Sequence, residues 1–294
     1  VTYSLVARDP DTGALGVAVQ SHWFAVGPVV PWARTGVGAV ATQSIAEPAY
    51  GPLLLDRLEA GEAPSAALAA LLADDEQARL RQVAVVDASG RTAVHTGDGC
   101  IAYAGEAGGD GFSAQANMMS SPGVWPAMAR AFEAAAGPLA RRLLAALNAA
   151  EAHGGDVRGR QSAALLLVPS AGEPWHTDVD LRVDDSDEPL TELARLLDLH
   201  DAYELATRGD ELTGQGHHEE AGEAYARASA LAPGNHELLF WAGLAAAQAG
   251  DMALALERVR SAIALRPQWR ELLVRLEPEI APSAGSVLEA LRDE

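Results

Sequence analysis

Apolar and polar residues divide this chain into two stretches with different periods. Up to about residue 183, short runs rich in Val, Ala and Leu are separated by Gly, Pro, Asp and Ser, the pattern of strands joined by turns. The first hairpin is the clearest: residues 2–8 and 14–20 read as strands, and Asp9-Pro-Asp-Thr-Gly13 supplies the turn. Counting back from that turn places Arg8 near Ala14 and Thr2 near Gln20 and Ser21. Residues 36–44 form a small-residue strand ending in Thr42, Gln43 and Ser44, and residues 52–73 carry a leucine stripe at helical spacing. Residues 83–87 and 91–96 read as a second hairpin around Ala88-Ser89-Gly90, and residues 112–118 as a further strand. A long helix is expected over 124–152 with a break at Gly137-Pro138. Residues 161–168 look like a buried strand, and 177–183 alternate with period two. Many strands with two long helical stretches between them predict a layered α+β domain over residues 1–188.

The last third follows another rule. Leu205, Gly209, Ala221, Ala228 and Pro233 match Leu239, Gly243, Ala255, Ala262 and Pro267, each pair 34 residues apart. Small residues where paired helices touch, with Pro after the second helix, resemble the tetratricopeptide repeat. The expected all-α domain spans 189–294: a joining helix at 189–200, repeats at about 202–235 and 236–269, and capping helices at 271–277 and 286–292. Two repeats leave a helical edge uncovered. A protein partner or a second subunit, and hence a homo-oligomer, is the expectation there.

Charge and composition narrow the function. A net charge of −20 and a pI near 4.7 argue against nucleic acid, whose affinity depends on clustered cations. No 18-residue apolar run is present, and Arg8 and Asp9 fall where a signal peptide needs its apolar core. No membrane association and a cytoplasmic location are therefore expected. Cys100 is the single cysteine, which excludes a cysteine-rich metal site. His217-His218-Glu219-Glu220 reads as a solvated interhelical turn, and the Asp178–Asp187 acidic run as a solvated strand edge. No metal and no cofactor are expected.

The chain contains no lysine; all 21 basic residues are Arg. That excludes Schiff-base chemistry and any lysine general base, because guanidinium is effectively never deprotonated. If Thr2 is a nucleophile, its base is its own α-amine or a histidine, and an α-amine titrates near pH 8, close enough to neutral. The condition is that Thr2 carry the free amine, with Val1 removed. Gln115 and Asn117, spaced by two, share a strand face. The candidate catalytic residues are Thr2, His95 as a proton shuttle and Asn117 as an amide donor. Gln20, Ser21, Gln43, Gln115, Arg160 and Ser162 are candidate substrate-binding groups. The bland alternative is that these polar residues only end strands or satisfy buried neighbours.

Thr2-Tyr-Ser-Leu-Val-Ala-Arg-Asp-Pro, Gly16-Val-Ala-Val-Gln-Ser-His-Trp-Phe-Ala-Val-Gly, Gly36-Val-Gly-Ala-Val-Ala-Thr-Gln-Ser, Ala114-Gln-Ala-Asn-Met and Gly159-Arg-Gln-Ser-Ala-Ala-Leu together resemble domain-of-unknown-function family 1028. This is a family of uncharacterised bacterial proteins grouped with the N-terminal-nucleophile (Ntn) hydrolases. The resemblance covers the first two thirds of the chain in order. It implies an αββα sandwich, a candidate Thr nucleophile and a small amide or acyl substrate. The alternative is a non-catalytic scaffold on the same fold, with the repeats recruiting a partner.

Overall fold

The computed structural model describes residues 2–292; the state of Val1, on which the nucleophile reading turns, lies outside the described residues. The described chain forms two compact units, one up to Ala194 and one from Arg195.

The first unit is α+β. In chain order it holds β1 (Thr2–Arg8), β2 (Leu15–Ser21), β3 (Pro31–Arg34), β4 (Gly38–Ser44), α1 (Tyr50–Glu59), α2 (Pro64–Ala73), β5 (Arg81–Asp87) and β6 (Thr92–Thr96). These are followed by β7 (Gly105–Gly109), β8 (Phe112–Asn117), α3 (Val124–Ala134), α4 (Leu139–Ala152), β9 (Ser162–Val168) and β10 (Val179–Val183). The strands form two antiparallel sheets, ordered β10-β9-β2-β1-β8-β7 and β3-β4-β5-β6. β1 is thus interior to the six-stranded sheet, with β2 on one side and β8 on the other.

Val6, Leu15, Val17 and Val19 of the larger sheet meet Ala39, Ala41, Ala84 and Val86 of the smaller one in a single buried cluster. Each such valine or leucine contributes about 1.5–3 kcal/mol by leaving water. On the far side of the smaller sheet, Val40, Val83 and Val85 pack with Leu54, Leu55 and Leu68 from α1 and α2. On the far side of the larger sheet, Gly16 lets Leu139 and Leu143 of α4 lie on the strand, where a Cβ would fall 2.8 Å from Leu143.

The hairpin register corrects the sequence reading by one residue. Asp9 Oδ1 accepts the Asp11 and Thr12 amides, and Gly13 takes a φ of 76°. The Asp9 amide then bonds the Ala14 carbonyl, so Arg8 faces Leu15, Tyr3 faces Gln20, and Thr2 faces Ser21. A one-residue slip exchanges the faces of every side chain. Gln20 therefore shares a face with Tyr3, away from Thr2.

The expected 52–73 helix is two helices. Gly61, at φ 92°, ends the first, and Pro64 opens the second, a stop and a start that the leucine stripe conceals. β3 and β7 carry no clear alternation in sequence; β7 reads Gly-Glu-Ala-Gly-Gly.

A helical C-terminal region makes up the second unit. It comprises α5 (Pro189–Gly214) from Arg195 onward, α6 (His218–Leu231), α7 (His236–Gln248), α8 (Met252–Leu265), α9 (Gln268–Arg275) and α10 (Ala284–Ala290). Asn235 and Asp251 cap α7 and α8 with their side-chain oxygens. Phe240 stacks on Trp269 with ring centroids 4.6 Å apart. A Cβ on Gly209 would sit 2.8 Å from the Tyr225 ring, and one on Gly243 would sit 2.7 Å from Val259. His217 precedes α6 and His218 begins it, so the helix starts earlier than the sequence reading placed it.

Candidate functional site

Period-two alternation sends Thr2, Ser4 and Val6 toward the smaller sheet. Toward the Thr2 end of β1 the inter-sheet layer changes character, from Val and Ala to hydroxyls and carboxamides. Thr2 lies directly between Ser21 of β2 and Asn117 of β8. Its hydroxyl is 3.0 Å from Ser21 Oγ. Its carbonyl accepts from Asn117 Nδ2 at 3.4 Å and from Gln43 Nε2 at 3.3 Å, one group from each sheet.

Behind it runs a chain of hydrogen bonds with one direction. Gln115 Nε2 donates to Ser4 Oγ, Ser4 to Gln43 Oε1, Gln43 Nε2 to Gln82 Oε1, Gln82 Nε2 to Thr96 Oγ1, and Thr96 to the Glu106 carboxylate. A carboxylate can only accept, so the Glu106 end sets the orientation of every amide before it. Asn117 Nδ2 joins from the side, 2.9 Å from Gln82 Oε1. Ser4, Gln82 and Gln115 are wholly buried. Carboxamides without water are costly unless partnered; these bond one another and nearby backbone carbonyls, while the buried Gln115 Oε1 has no partner among the described residues.

Thr2 is 5% exposed, yet it lines a cavity of about 410 Å³, within the size range of small-molecule sites. Its polar wall includes Thr2, Ser21, Gln43 and Arg158; its apolar wall includes Val26, Val30, Ile45, Ile101 and Met118, with Trp23 beside them. Among the described lining residues there is no histidine and no carboxylate. Among the described non-glycine residues, positive φ occurs at Ala25, Ser44 and Met118. Two of these line the cavity and the third adjoins Val26. Such backbone costs about 1–3 kcal/mol per residue and collects where the surroundings enforce it.

The sequence candidates separate accordingly. Thr2, Ser21, Gln43, Gln115 and Asn117 are brought together. Asn117 commits its amide nitrogen to Gln82 and to the Thr2 carbonyl, which makes it a clamp on Thr2. Ser162 is one strand further, opposite Ser21. Its hydroxyl donates to the Trp23 carbonyl at 2.5 Å and accepts from the Val26 amide at 3.1 Å, so it fixes the loop that carries the cavity wall.

Three candidates lie elsewhere. His95 pairs with Val83 and bonds the Ala78 carbonyl at 2.8 Å. It shares the α1/α2 side with Val83, and its neighbour Thr96 faces the amide chain instead. Arg160 pairs with Glu151 at 3.1 Å and also with Glu188. Gln20 is wholly buried on the Tyr3 face, and neither end of its amide has a partner among the described residues. Tyr3 on that face donates to Glu151 Oε2 at 2.8 Å; burial first, then Glu151, holds its phenol well above the ordinary value.

Sequence reasoning missed Gln82 and the pair Asp156–Arg158. Gln82 precedes the stretch that reads as a strand. Asp156 and Arg158 sit in a loop with Gly154, Gly155 and Gly159, all at positive φ, which leaves no periodic signal.

A second ion pair, partly buried, supports the wall from outside. Arg81 Nε donates to Asp75 Oδ2 at 2.8 Å, and Arg81 Nη1 to the carbonyl of Ile45 at 2.6 Å. The Arg81 hydrogen bond is the main reason the Asp75 carboxyl falls to about 2.

Residues 2–193 match the model of a family described as "Family of unknown function (DUF1028)". The chain belongs to this family. The crystal structure of protein SPO2555 from Silicibacter pomeroyi, of the same family, is similar at 33% identity and a TM-score of 0.61. The match covers 67% of this chain and 87% of that one. No curated protein matches. Among the described residues of this DUF1028 member, no helix is long and apolar enough to cross a membrane.

Proposed function

We propose that this DUF1028 protein is an Ntn-type amidohydrolase acting on a small amide or related acyl compound, with Thr2 as nucleophile. The observation that carries the reading is a threonine hydroxyl on the floor of a cavity, its carbonyl clamped from both sheets. In this reading the two facing sheets and the helices outside them form an Ntn-like αββα sandwich. Thr2 Oγ1 attacks the substrate carbonyl and passes its proton to the α-amine of Thr2. That proton goes to the departing amine as the C–N bond breaks, and water then releases the acyl group. The α-amine is the remaining base, since lysine is absent and His95 is directed to Ala78. Ser21 orients the attacking hydroxyl.

The test begins with the N-terminal mass of the native protein. A chain beginning at Thr2, hydrolysing members of an amide panel and inactive as Thr2→Ala, supports the proposal. A blocked Thr2 amine, or unchanged turnover in Thr2→Ala, removes it.

A second reading, a binding protein whose helical unit recruits a partner or a second copy, has its own support. The equivalent close contacts at Gly209 and Gly243 fit tetratricopeptide-like repeats, and the equivalent Leu231 and Leu265 are both exposed. Sedimentation of the full chain against Leu231→Glu/Leu265→Glu checks self-association; equal mass across concentration removes the second-copy form of this reading.

A further inference from the structure

The wall of the cavity at Thr2 divides by origin. Strand ends supply its polar part, with Thr2 from β1, Ser21 from β2, and Gln43 and Ser44 from β4. The segments beyond those strands supply hydrocarbon: Val26, Val29 and Val30 after β2, Ile45 after β4, Ile101 before β7 and Met118 after β8. Each segment is anchored. Ser162 Oγ accepts the Val26 amide, and Arg81 donates to the Ile45 carbonyl. The Met118 amide donates to the Ile101 carbonyl at 2.8 Å, and the Met118 carbonyl accepts the Val157 amide at 3.2 Å. The hydrocarbon wall is therefore formed before a ligand arrives, as in most small-molecule sites. It brings no spare charge. The described lining contains no acid, and its one arginine, Arg158, is ion-paired with Asp156 at 3.2 Å. A charged group entering here would shed water without gaining a counter-ion, which is costly. For an anion, the 41 acidic residues against 21 basic ones add to that cost. Hydrocarbon also continues to the mouth: Trp23, Ile45 and Ile101 line the cavity yet are 60%, 49% and 52% exposed. Single exposed apolar groups need no explanation, but a set converging on one cavity marks a binding site.

We infer that this site receives an uncharged amide with a hydrocarbon body, the amide beside Thr2 and the body along Val26, Val30, Ile45 and Ile101. This deepens the hydrolase reading and rests on it for the amide; the hydrocarbon body and the lack of charge rest on the cavity alone. Ile101 determines specificity in this assignment, because it lines the wall while half exposed and outside the buried core.

The experiment measures binding by calorimetry, using the full chain as Thr2→Ala so that turnover does not intrude; Thr2→Val serves if Thr2→Ala is unstable. The probes are the N-methyl amides of butanoic, hexanoic and octanoic acid. Two charged counterparts of the hexanoyl compound end in a carboxylate or an ammonium group. Affinity is expected to rise about threefold for each added methylene, the scale of burying one such group. The heat-capacity change on binding should become more negative along the series. Each charged counterpart is expected to bind at least about tenfold more weakly than the neutral hexanoyl amide. Ile101→Ser should weaken the octanoyl compound about threefold or more. A flat series, a charged counterpart that matches the neutral amide, or an octanoyl affinity unchanged in Ile101→Ser overturns the inference. A flat series together with a dimer that Ile101→Ser dissociates would assign the apolar mouth to a second copy instead. Failure of wild-type turnover on these amides would sink the hydrolase reading and leave the binding series standing.

Discussion

The two ends of the layer between the sheets are built from the same strands and do opposite things. Toward the turn between β1 and β2, Val6, Leu15, Val17 and Val86 fill the space with hydrocarbon. Toward Thr2, the same faces present Ser4, Gln43, Gln82, Gln115 and Asn117. Burying hydrocarbon stabilises without regard to direction. A buried amide adds only about 0.5–1.5 kcal/mol net when partnered, but demands a particular geometry. The hydrophobic end therefore supplies stability, and the polar end supplies position.

That division predicts mutants that separate stability from activity. The largest contrast is Thr2→Ala against Leu15→Ala. Thr2→Ala should reduce amide hydrolysis by at least about a thousandfold, an order typical of losing a nucleophile, and change stability by only about 1 kcal/mol. Leu15→Ala should cost about 2–5 kcal/mol in urea unfolding while each folded molecule keeps its turnover. Comparable effects of the two on both readouts would erase the distinction.

Gln82→Leu comes next, because one side chain accepts from Gln43 and Asn117 and donates to Thr96. Each buried group stripped of its partner costs about 1–3 kcal/mol, and turnover should fall as well, since Asn117 and Gln43 also hold Thr2. A stable, fully active Gln82→Leu would show that the amide chain is packing alone.

Acid gives a smaller effect with a defined sign. Asp75 is lowered to about 2 in the folded state, so its pairing with Arg81 stabilises at pH above the ordinary carboxylate range. That contribution declines as pH falls from about 4 toward about 2. Arg81→Met should flatten this part of a stability-against-pH curve measured by chemical unfolding. An identical slope in both proteins would count against it.

Ser162→Ala should be the mildest, about 1 kcal/mol, read as a shift in Trp23 fluorescence as the loop loosens. An unchanged spectrum would remove Ser162 as the support of that loop.

Much of this was legible in the sequence because strands alternate. Spacing by two put Gln115 and Asn117 on one face, and the hairpin brought Ser21 to Thr2. The same rule explains the failures. One residue hidden in an Asp-supported turn moved Gln20 to the opposite face. At β6 the residue facing the amides is Thr96, one position past His95. Arg158 was not legible at all: its loop has no period, and three left-handed glycines decide where it goes. The second unit was visible through its 34-residue self-similarity as a set of helices, while their ends moved by a few residues because caps and prolines compete there.

The clamp on Thr2 has a mechanical consequence. Its carbonyl takes one N–H from β8 and one from β4, so a single residue registers any sliding between the sheets. Oily surfaces can shear slightly and keep most of their contact, whereas hydrogen bonds at 3.3–3.4 Å have no slack to give. Under pressure, heat or mild denaturant, the hydroxyl should lose its aim while the valine end is still folded, and such a protein would fall silent before it melts.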